Sequence, residues 1–165
     1  MTPGIPLQAD RLLAELNEAG IEFLVIGGFA VSAHGYPRGT KDLDIVPEPG
    51  AENLARLADL LVRLEAELLG TEDLSSNELI QPDLAGLSGG GNFVLGTSLG
   101  RLDIMQFLVP EMEYGDLLEG SIEETVFGQP VRICGYEDLV TMKRAAGRPE
   151  DLIDLERLGE ARGDS

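Results

Sequence analysis

Two aspartates placed two residues apart carry the strongest sign of chemistry in this sequence. Asp42 and Asp44 flank Leu43 and are followed by Ile45 and Val46, the alternation of a strand with one buried face. Residues two apart in a strand point to the same face, so the two carboxylates project together. Their repulsion is expected to raise the pKa of one of them unless a cation lies between them. Oxygen ligands of this kind suit Mg²⁺ or Mn²⁺.

Residues suited to binding phosphate precede this strand. Gly27 and Gly28 let a backbone approach closely, and a helix beginning there offers free N–H groups to an anion. Arg38 and Lys41 flank the next loop as further donors, with Thr40 between them. Together with the paired aspartates, these residues predict a site for a metal-bound nucleoside triphosphate.

The elements that must position these residues form a strand–helix–strand–helix unit. An apolar run rich in β-branched residues at 21–26 predicts a strand, and residues 29–34 predict a short helix. The second strand begins at Asp42, and leucines at helical spacing predict a long helix over 52–69. An earlier helix is predicted over 7–19. This order favours an α/β fold with helices packed mainly on one face of the sheet.

The rest of the chain predicts hairpins followed by helices. Residues 71–91 are mostly loop-forming, with a short strand at 79–80, and a loop of this length is often functional, so it could close over a substrate. A hairpin is predicted at 92–108 and a second at 124–134. Two final helices are predicted over 136–146 and 151–158, the last packing through three leucines, Leu152, Leu155 and Leu158.

The order of the two motifs resembles a known family. Gly27-Gly28 followed by Asp42-Leu43-Asp44 is similar to the signature of polymerase-β-like nucleotidyltransferases. The resemblance is closest to small bacterial members, which include abortive-infection toxins and minimal nucleotidyltransferases. It covers about residues 7–158 of the sequence. It implies a nucleotidyltransferase fold with a mixed sheet, formed by a single domain over residues 1–165.

The resemblance also implies residue roles and a reaction. Asp103 matches a third carboxylate that joins Asp42 and Asp44 in the metal site, and Lys143 matches a helical lysine that meets the triphosphate. We expect this lysine to lie at the protein surface. The implied reaction moves a nucleoside monophosphate from an NTP to a hydroxyl group. One departure is Gly28, because many relatives have a serine there whose hydroxyl contacts phosphate.

Each motif alone has a simpler interpretation. A Gly-Gly after a strand is usually a tight turn, and an Asp-x-Asp is usually a solvated strand face. Their combination with Asp103 and Lys143 is much more specific. The alternative that remains is a non-catalytic nucleotide-binding or assembly module with the same fold.

Charge limits the partners that this chain can bind. Its net charge of −18 makes broad nonspecific binding to nucleic acid unfavourable. Half of its basic residues lie in or beside the motifs: Arg38, Lys41, Arg101, Lys143, Arg144 and Arg148. The hydroxyl acceptor suggested by the resemblance is a tRNA end, a protein side chain or a small molecule such as an aminoglycoside. The acidic surface modestly favours a cationic small molecule or a protein, and a toxin would have an antitoxin partner.

The remaining composition predicts a cytoplasmic protein. No run approaches the roughly 20 apolar residues of a transmembrane helix, and the N-terminus lacks the features of a signal peptide. Cys134 is the only cysteine, so no internal disulfide can form, and we expect a buried thiol.

Overall fold

The computed structural model describes residues 4–71 and 79–163. Within these residues the strands are β1 (Phe23–Ile26), β2 (Asp42–Pro47), β3 (Glu67–Leu68), β4 (Phe93–Thr97), β5 (Gly100–Ile104), β6 (Ile122–Val126) and β7 (Gln129–Ile133). The helices of the same residues are α1 (Ala9–Glu18), α2 (Gly27–Ala33), α3 (Ala51–Arg63), α4 (Leu84–Ser88), α5 (Tyr114–Gly120), α6 (Tyr136–Ala146) and α7 (Pro149–Ala161). The strands form one open sheet in the order β3-β4-β5-β2-β1-β7-β6. The predicted α/β class is confirmed.

The sheet is mixed, as predicted, and it contains two parallel pairings, one of which brings two acidic residues side by side. β1 pairs with β2 in antiparallel fashion and with β7 in parallel, and all four of its residues are buried. β2 pairs in parallel with β5, which sets Asp44 directly beside Asp103. Ile26, the last residue of β1, pairs with Asp44. The turn that follows β1 therefore lies next to the carboxylates of two neighbouring strands.

The long predicted helix over 52–69 is wrong at its C-terminal end. α3 stops at Arg63, and Glu65 has a positive φ of 55°, which turns the chain back towards the sheet. Glu67 and Leu68 then pair with β4 as an edge strand. The leucine spacing continues past the reversal, but tertiary pairing with β4 overrides the local helical pattern.

The region after β3 also differs from the prediction. Leu79 and Ile80 are not in a strand; the next element is α4, whose N-terminus is capped by Asp83 accepting a hydrogen bond from the Gly86 N–H at 2.8 Å. Residues 72–78 lie outside the described residues, so the expected closing loop is only partly described. Both hairpins are present, as β4–β5 and β6–β7.

The last helix packs only in part through the leucines that were predicted: Leu158 is buried and Leu155 is half-buried. α7 begins at Pro149, and its buried residues are Asp151, Asp154 and Leu158. Leu152 is 57% exposed, so its predicted packing is wrong. The helix turns these two acids towards the protein, where they form ion pairs with lysine and arginine side chains. In the described part of the chain, no helix combines the length and apolar character that crossing a bilayer requires.

Candidate active site

Three carboxylates meet at the centre of the sheet. Asp42 and Asp44 project from the same face of β2, and the parallel register with β5 adds Asp103. One oxygen from each side chain lies within 4.8 Å of the others. Hard oxygen donors at this separation fit a divalent cation such as Mg²⁺ or Mn²⁺. The three predicted metal ligands are therefore brought together.

The crowding of negative charge is greatest at Asp44. The pKa of this carboxyl is raised to about 8, mainly by burial and also by the neighbouring charges of Asp42 and Asp103. The predicted conflict between paired carboxylates is thus present, with burial as its largest cause. A divalent cation would relieve this repulsion, and so the donor set and its electrostatics both fit a metal.

Arg101 lies beside the carboxylates. Its Nε and Nη2 donate to the two oxygens of Asp103, each at 2.9 Å, and its Nε lies 3.9 Å from an oxygen of Asp42. The alternation of β5 predicts that Arg101 and Asp103 share a face, and they do. The sequence motif gave no sign that this arginine would bind the third carboxylate with both nitrogens.

The Gly-Gly turn is fitted closely to its surroundings. Gly27 has φ +71°, and a Cβ at this position would overlap the Asp44 carboxylate. At Gly28, a Cβ would lie 2.9 Å from Thr40 Oγ1. A serine at position 28 would therefore displace Thr40, which gives the departure from the family pattern a steric reason. The Thr40 hydroxyl itself donates to the Asp42 carbonyl at 2.9 Å.

A group of charged side chains, most of them buried or half-buried, lies at one side of the cleft. We call it the α7 ion cluster, formed by Arg38, Lys143, Arg148, Asp151 and Asp154. Asp154 accepts two hydrogen bonds from Arg38, both at 3.0 Å. Lys143 Nζ lies 3.0 Å from oxygens of both Asp151 and Asp154. Arg148 Nε donates to Asp151 at 2.7 Å.

This cluster corrects the expectation for Lys143. Lys143 is only 8% exposed, so it is not a surface lysine. Burial alone would raise the pKa of Asp151, but hydrogen bonds from Arg148 and Lys143 outweigh it and hold that pKa below its usual value. Asp151 therefore remains charged, and both buried aspartates act as partners for the cations.

One cleft of about 860 Å³ unites the predicted residues. Its lining includes every residue that the sequence assigned to the site: Gly27, Gly28, Arg38, Thr40, Lys41, Asp42, Asp44, Asp103 and Lys143. Five of the six basic residues singled out in the sequence line it, Arg144 being the exception. The cleft thus brings together five of the twelve basic residues of this acidic chain.

Sequence reasoning missed the acidic partners on α7. Asp151 and Asp154 are three residues apart and so share a helix face, but acids at this spacing on an acidic protein are also typical of a solvated surface. The sequence did offer one sign of this orientation. Leu152, Ile153 and Leu158 are spread around the helix, so they cannot all face the protein. His34 adds a smaller structural contact, since its Nε2 lies 2.7 Å from the Cys134 carbonyl.

Comparison with known structures places the fold. The chain matches no family model, and no curated protein sequence is significantly similar to it. It is similar to the lincosamide antibiotic adenylyltransferase LnuA in its lincomycin-bound crystal structure, with a TM-score of 0.61 at 12% identity, covering 97% of this chain and 99% of LnuA.

Two further structures support the same assignment. ANT(2'')-Ia, crystallised with adenylyl-2''-tobramycin, gives a TM-score of 0.55 at 18% identity over 92% of this chain and 86% of that one. An antigenic nucleotidyltransferase-like protein from Paracoccidioides brasiliensis gives 0.57 at 17% identity over 93% and 78%. The fold is therefore the polymerase-β-like nucleotidyltransferase fold, as the sequence motifs predicted.

Proposed function

We propose that this chain is a metal-dependent nucleotidyltransferase, which moves a nucleoside monophosphate from an NTP to a hydroxyl acceptor. One observation carries the proposal: a single cleft holds the carboxylates of Asp42, Asp44 and Asp103 together with the cations Arg38 and Lys143. Phosphoryl transfer depends on charge neutralisation and positioning more than on covalent help from the protein. This cleft has the groups for both.

The residues divide into a metal end and a phosphate end. The three aspartates would hold Mg²⁺ or Mn²⁺, which supplies charge neutralisation at the phosphate being transferred. Gly27 and Gly28 line the cleft, and Asp44 and Thr40 pack against the positions that their side chains would occupy. The nucleotide-binding residues that complete this assignment are Arg38, Thr40, Lys41 and Lys143.

The proposed reaction breaks the bond between the α-phosphorus and the oxygen that bridges to the β-phosphate. The acceptor hydroxyl oxygen forms the new bond to the α-phosphorus, and pyrophosphate leaves. Asp103 takes the hydroxyl proton. Its hydrogen bonds to Arg101 leave room for this role, because each carboxylate oxygen has two lone pairs.

The acceptor is tested directly with labelled NTPs. Purified protein with Mg²⁺ is incubated with tRNA, mixed proteins, an aminoglycoside and a lincosamide in separate reactions. The two small molecules are included because the similar structures contain lincomycin and adenylyl-2''-tobramycin. We expect label in one acceptor class and none with Asp44→Asn. Absence of both transfer and metal-dependent NTP binding would contradict the proposal.

A toxin role is a narrower form of the same proposal. If the chain is a toxin, its expression should arrest growth, and Asp44→Asn should abolish the arrest without lowering the amount of protein. Co-expression of a genomic neighbour that restores growth and co-purifies with the chain would identify an antitoxin. Growth that is unaffected by the wild-type chain would remove the toxin role and leave nucleotidyl transfer standing.

One observation favours a second candidate, a nucleotide-binding module without turnover. Arg101 binds both oxygens of Asp103, the carboxylate that is assigned to the acceptor side of the reaction. If that pair persists when nucleotide binds, the Arg101 cation makes Asp103 a weaker proton acceptor, while Asp42 and Asp44 still hold the metal. Release of pyrophosphate distinguishes the two candidates. Both bind an NTP with Mg²⁺, but the module releases no pyrophosphate with any acceptor, whereas the enzyme does with its own.

A further inference from the structure

α7 turns two carboxylates towards the protein as well as Leu158. Asp151 and Asp154 are 0% and 2% exposed, whereas Leu152 and Ile153 on the same helix face solvent. Burying a carboxylate is costly unless it is paired and hydrogen-bonded. The inward face of this helix is therefore organised around the cations that it meets, and those cations line the cleft.

Asp154 is the residue that joins the two phosphate-end cations. Its Oδ1 accepts from Arg38 Nε, and its Oδ2 accepts from Arg38 Nη2 and also lies 3.0 Å from Lys143 Nζ. Arg38 comes from the loop before β2, and Lys143 comes from α6. The carboxylate of Asp154, which lies on α7, thus holds two side chains that come from two other parts of the fold.

The donors that Asp154 leaves free are the ones beside the glycine turn. Arg38 uses Nε and Nη2 on Asp154. Its Nη1 donates one proton to the Gly39 carbonyl at 3.3 Å, keeps a second proton, and lies 3.4 Å from the position that a Cβ on Gly28 would occupy. The ammonium of Lys143 has three protons, and two of its directions are taken by Asp151 and Asp154. Both cations line the cleft with their remaining donors available.

We propose that Asp154 is a positioning residue for triphosphate binding, holding Arg38 and Lys143 so that their remaining donors meet the β- and γ-phosphates of an NTP. The proposal rests on the proposed function in that it takes the occupant of the cleft to be a nucleoside triphosphate. It names α7 as part of the binding site, although Asp154 itself touches no substrate.

A purely electrostatic role predicts the opposite effect. The α7 ion cluster has three cations and two carboxylates, so removing the charge of Asp154 makes it more positive. If total charge governed affinity, Asp154→Asn would bind triphosphate more tightly. If position governs affinity, the same variant binds triphosphate more weakly. The side-chain amide of asparagine has only one oxygen that accepts hydrogen bonds, and its NH₂ group is a donor. It therefore cannot hold both nitrogens of Arg38 and the ammonium of Lys143.

The test compares phosphate chains of different length on one set of variants. Calorimetry with Mg²⁺ measures the affinity of wild type, Asp154→Asn and the control Glu156→Gln for ATP, AMP and inorganic triphosphate. Glu156 is an exposed acid on the same helix, so its variant makes the same charge change away from the cleft. We expect Asp154→Asn to weaken ATP and triphosphate by roughly tenfold to a hundredfold, the size of a lost charge-assisted hydrogen bond, with AMP unchanged.

A second variant keeps the test valid if Asp154→Asn folds poorly. Arg38→Lys retains the charge but lacks the two-nitrogen fork that Asp154 binds, and Arg38 is partly exposed, so the variant should fold. We expect the same selective loss for ATP and triphosphate. Equal affinities in wild type and both variants, tighter triphosphate binding by Asp154→Asn, or equal losses for AMP and ATP would each overturn the positioning role.

Failure of the proposed function gives a different pattern. If wild type binds triphosphate, Asp154→Asn loses that binding and no acceptor is labelled, the positioning role stands and nucleotidyl transfer fails. If wild type labels an acceptor and Asp154→Asn matches it in the KM for ATP, transfer stands and the positioning role fails. A wild-type protein that binds neither ATP nor triphosphate overturns both.

Discussion

Arg101 and Asp103 lie two residues apart on β5 and form a bidentate ion pair, in which both hydrogen bonds measure 2.9 Å. The pair holds the third carboxylate in place beside Asp44, its direct neighbour in the parallel register. Arg101 also lies near Asp42, so one cation offsets part of the negative charge of the whole cluster. This arrangement lets three carboxylates share one face of the sheet.

Asp103→Asn separates transfer from binding. The change keeps the shape of the side chain, and Arg101 is 46% exposed, so its lost partner is replaced by water and stability should change little. NTP binding through Asp42, Asp44 and the Gly-Gly turn should largely survive. Transfer should fall by about 10²-fold or more, the contribution of a general base. Calorimetry and label transfer on the same preparation measure the two effects.

The matched control for this variant is Arg101→Gln. It removes the partner of Asp103 and leaves the carboxylate in place, so we expect transfer to persist at a reduced rate. Transfer near the wild-type rate in Asp103→Asn would exclude this residue as proton acceptor and overturn the three-carboxylate assignment.

The stability of the metal-free protein should fall as the pH rises from about 4 to about 8. The pKa of Asp44 is raised by burial and by its acidic neighbours from 3.8 in the unfolded chain to about 8 in the folded one. Between these values the folded state binds the proton that the unfolded state releases, and so each increase in pH favours unfolding. Denaturant unfolding in EDTA across this range measures the effect.

Asp44→Asn isolates this titration from the other acids of the chain. The amide does not ionise, so the stability of the variant relative to wild type should increase with pH in EDTA. Mg²⁺ should reverse the difference near pH 8, because the ion binds only the wild-type carboxylate and displaces its proton. A stability difference that is constant from pH 4.5 to pH 8 would show that Asp44 is not the titrating group.

Replacing Lys143 should destabilise the fold as well as weaken nucleotide binding. Its Nζ lies 3.0 Å from each of two buried carboxylates, so Lys143→Ala leaves both without a shared cation. Breaking a buried pair by removing one partner costs about 3–5 kcal/mol of unfolding free energy. The other lysine of the chain, Lys41, is exposed, and Lys41→Ala should change stability by less than about 0.5 kcal/mol. Urea unfolding compares them, and equal stabilities would contradict the buried role.

Part of the candidate site could be predicted from the sequence because its two motifs are local patterns. The Gly27-Gly28 turn directly follows an apolar strand, and the alternation around Asp42 and Asp44 fixes their common face. These features depend on residues a few positions apart. The structure confirms the unit of strand, turn, helix and strand, with boundaries shifted by one or two residues.

The parts that were not predictable depend on partners distant in sequence. Asp154 and Arg38 are 116 positions apart, and no helical or strand periodicity reports that such residues will meet. The reversal at Glu65 is similar, because the leucines after it keep helical spacing while the chain pairs with β4. Local pattern describes which face of an element is apolar, whereas ion pairs between elements follow from the assembled fold.

The close fit of Gly27 gives the last prediction. Its φ of +71° is a conformation that other residues adopt with strain, and a Cβ there would overlap the carboxylate of Asp44. Gly27→Ala should lower the unfolding free energy by about 1–3 kcal/mol and weaken Mg²⁺-dependent NTP binding, because Asp44 must move away from the other carboxylates. Gly115→Ala is the control, since no atom lies within 4 Å of its Cβ position on α5. It should leave binding unchanged and raise stability by about 0.4–1 kcal/mol. Wild-type NTP affinity in Gly27→Ala would show that the turn does not position Asp44.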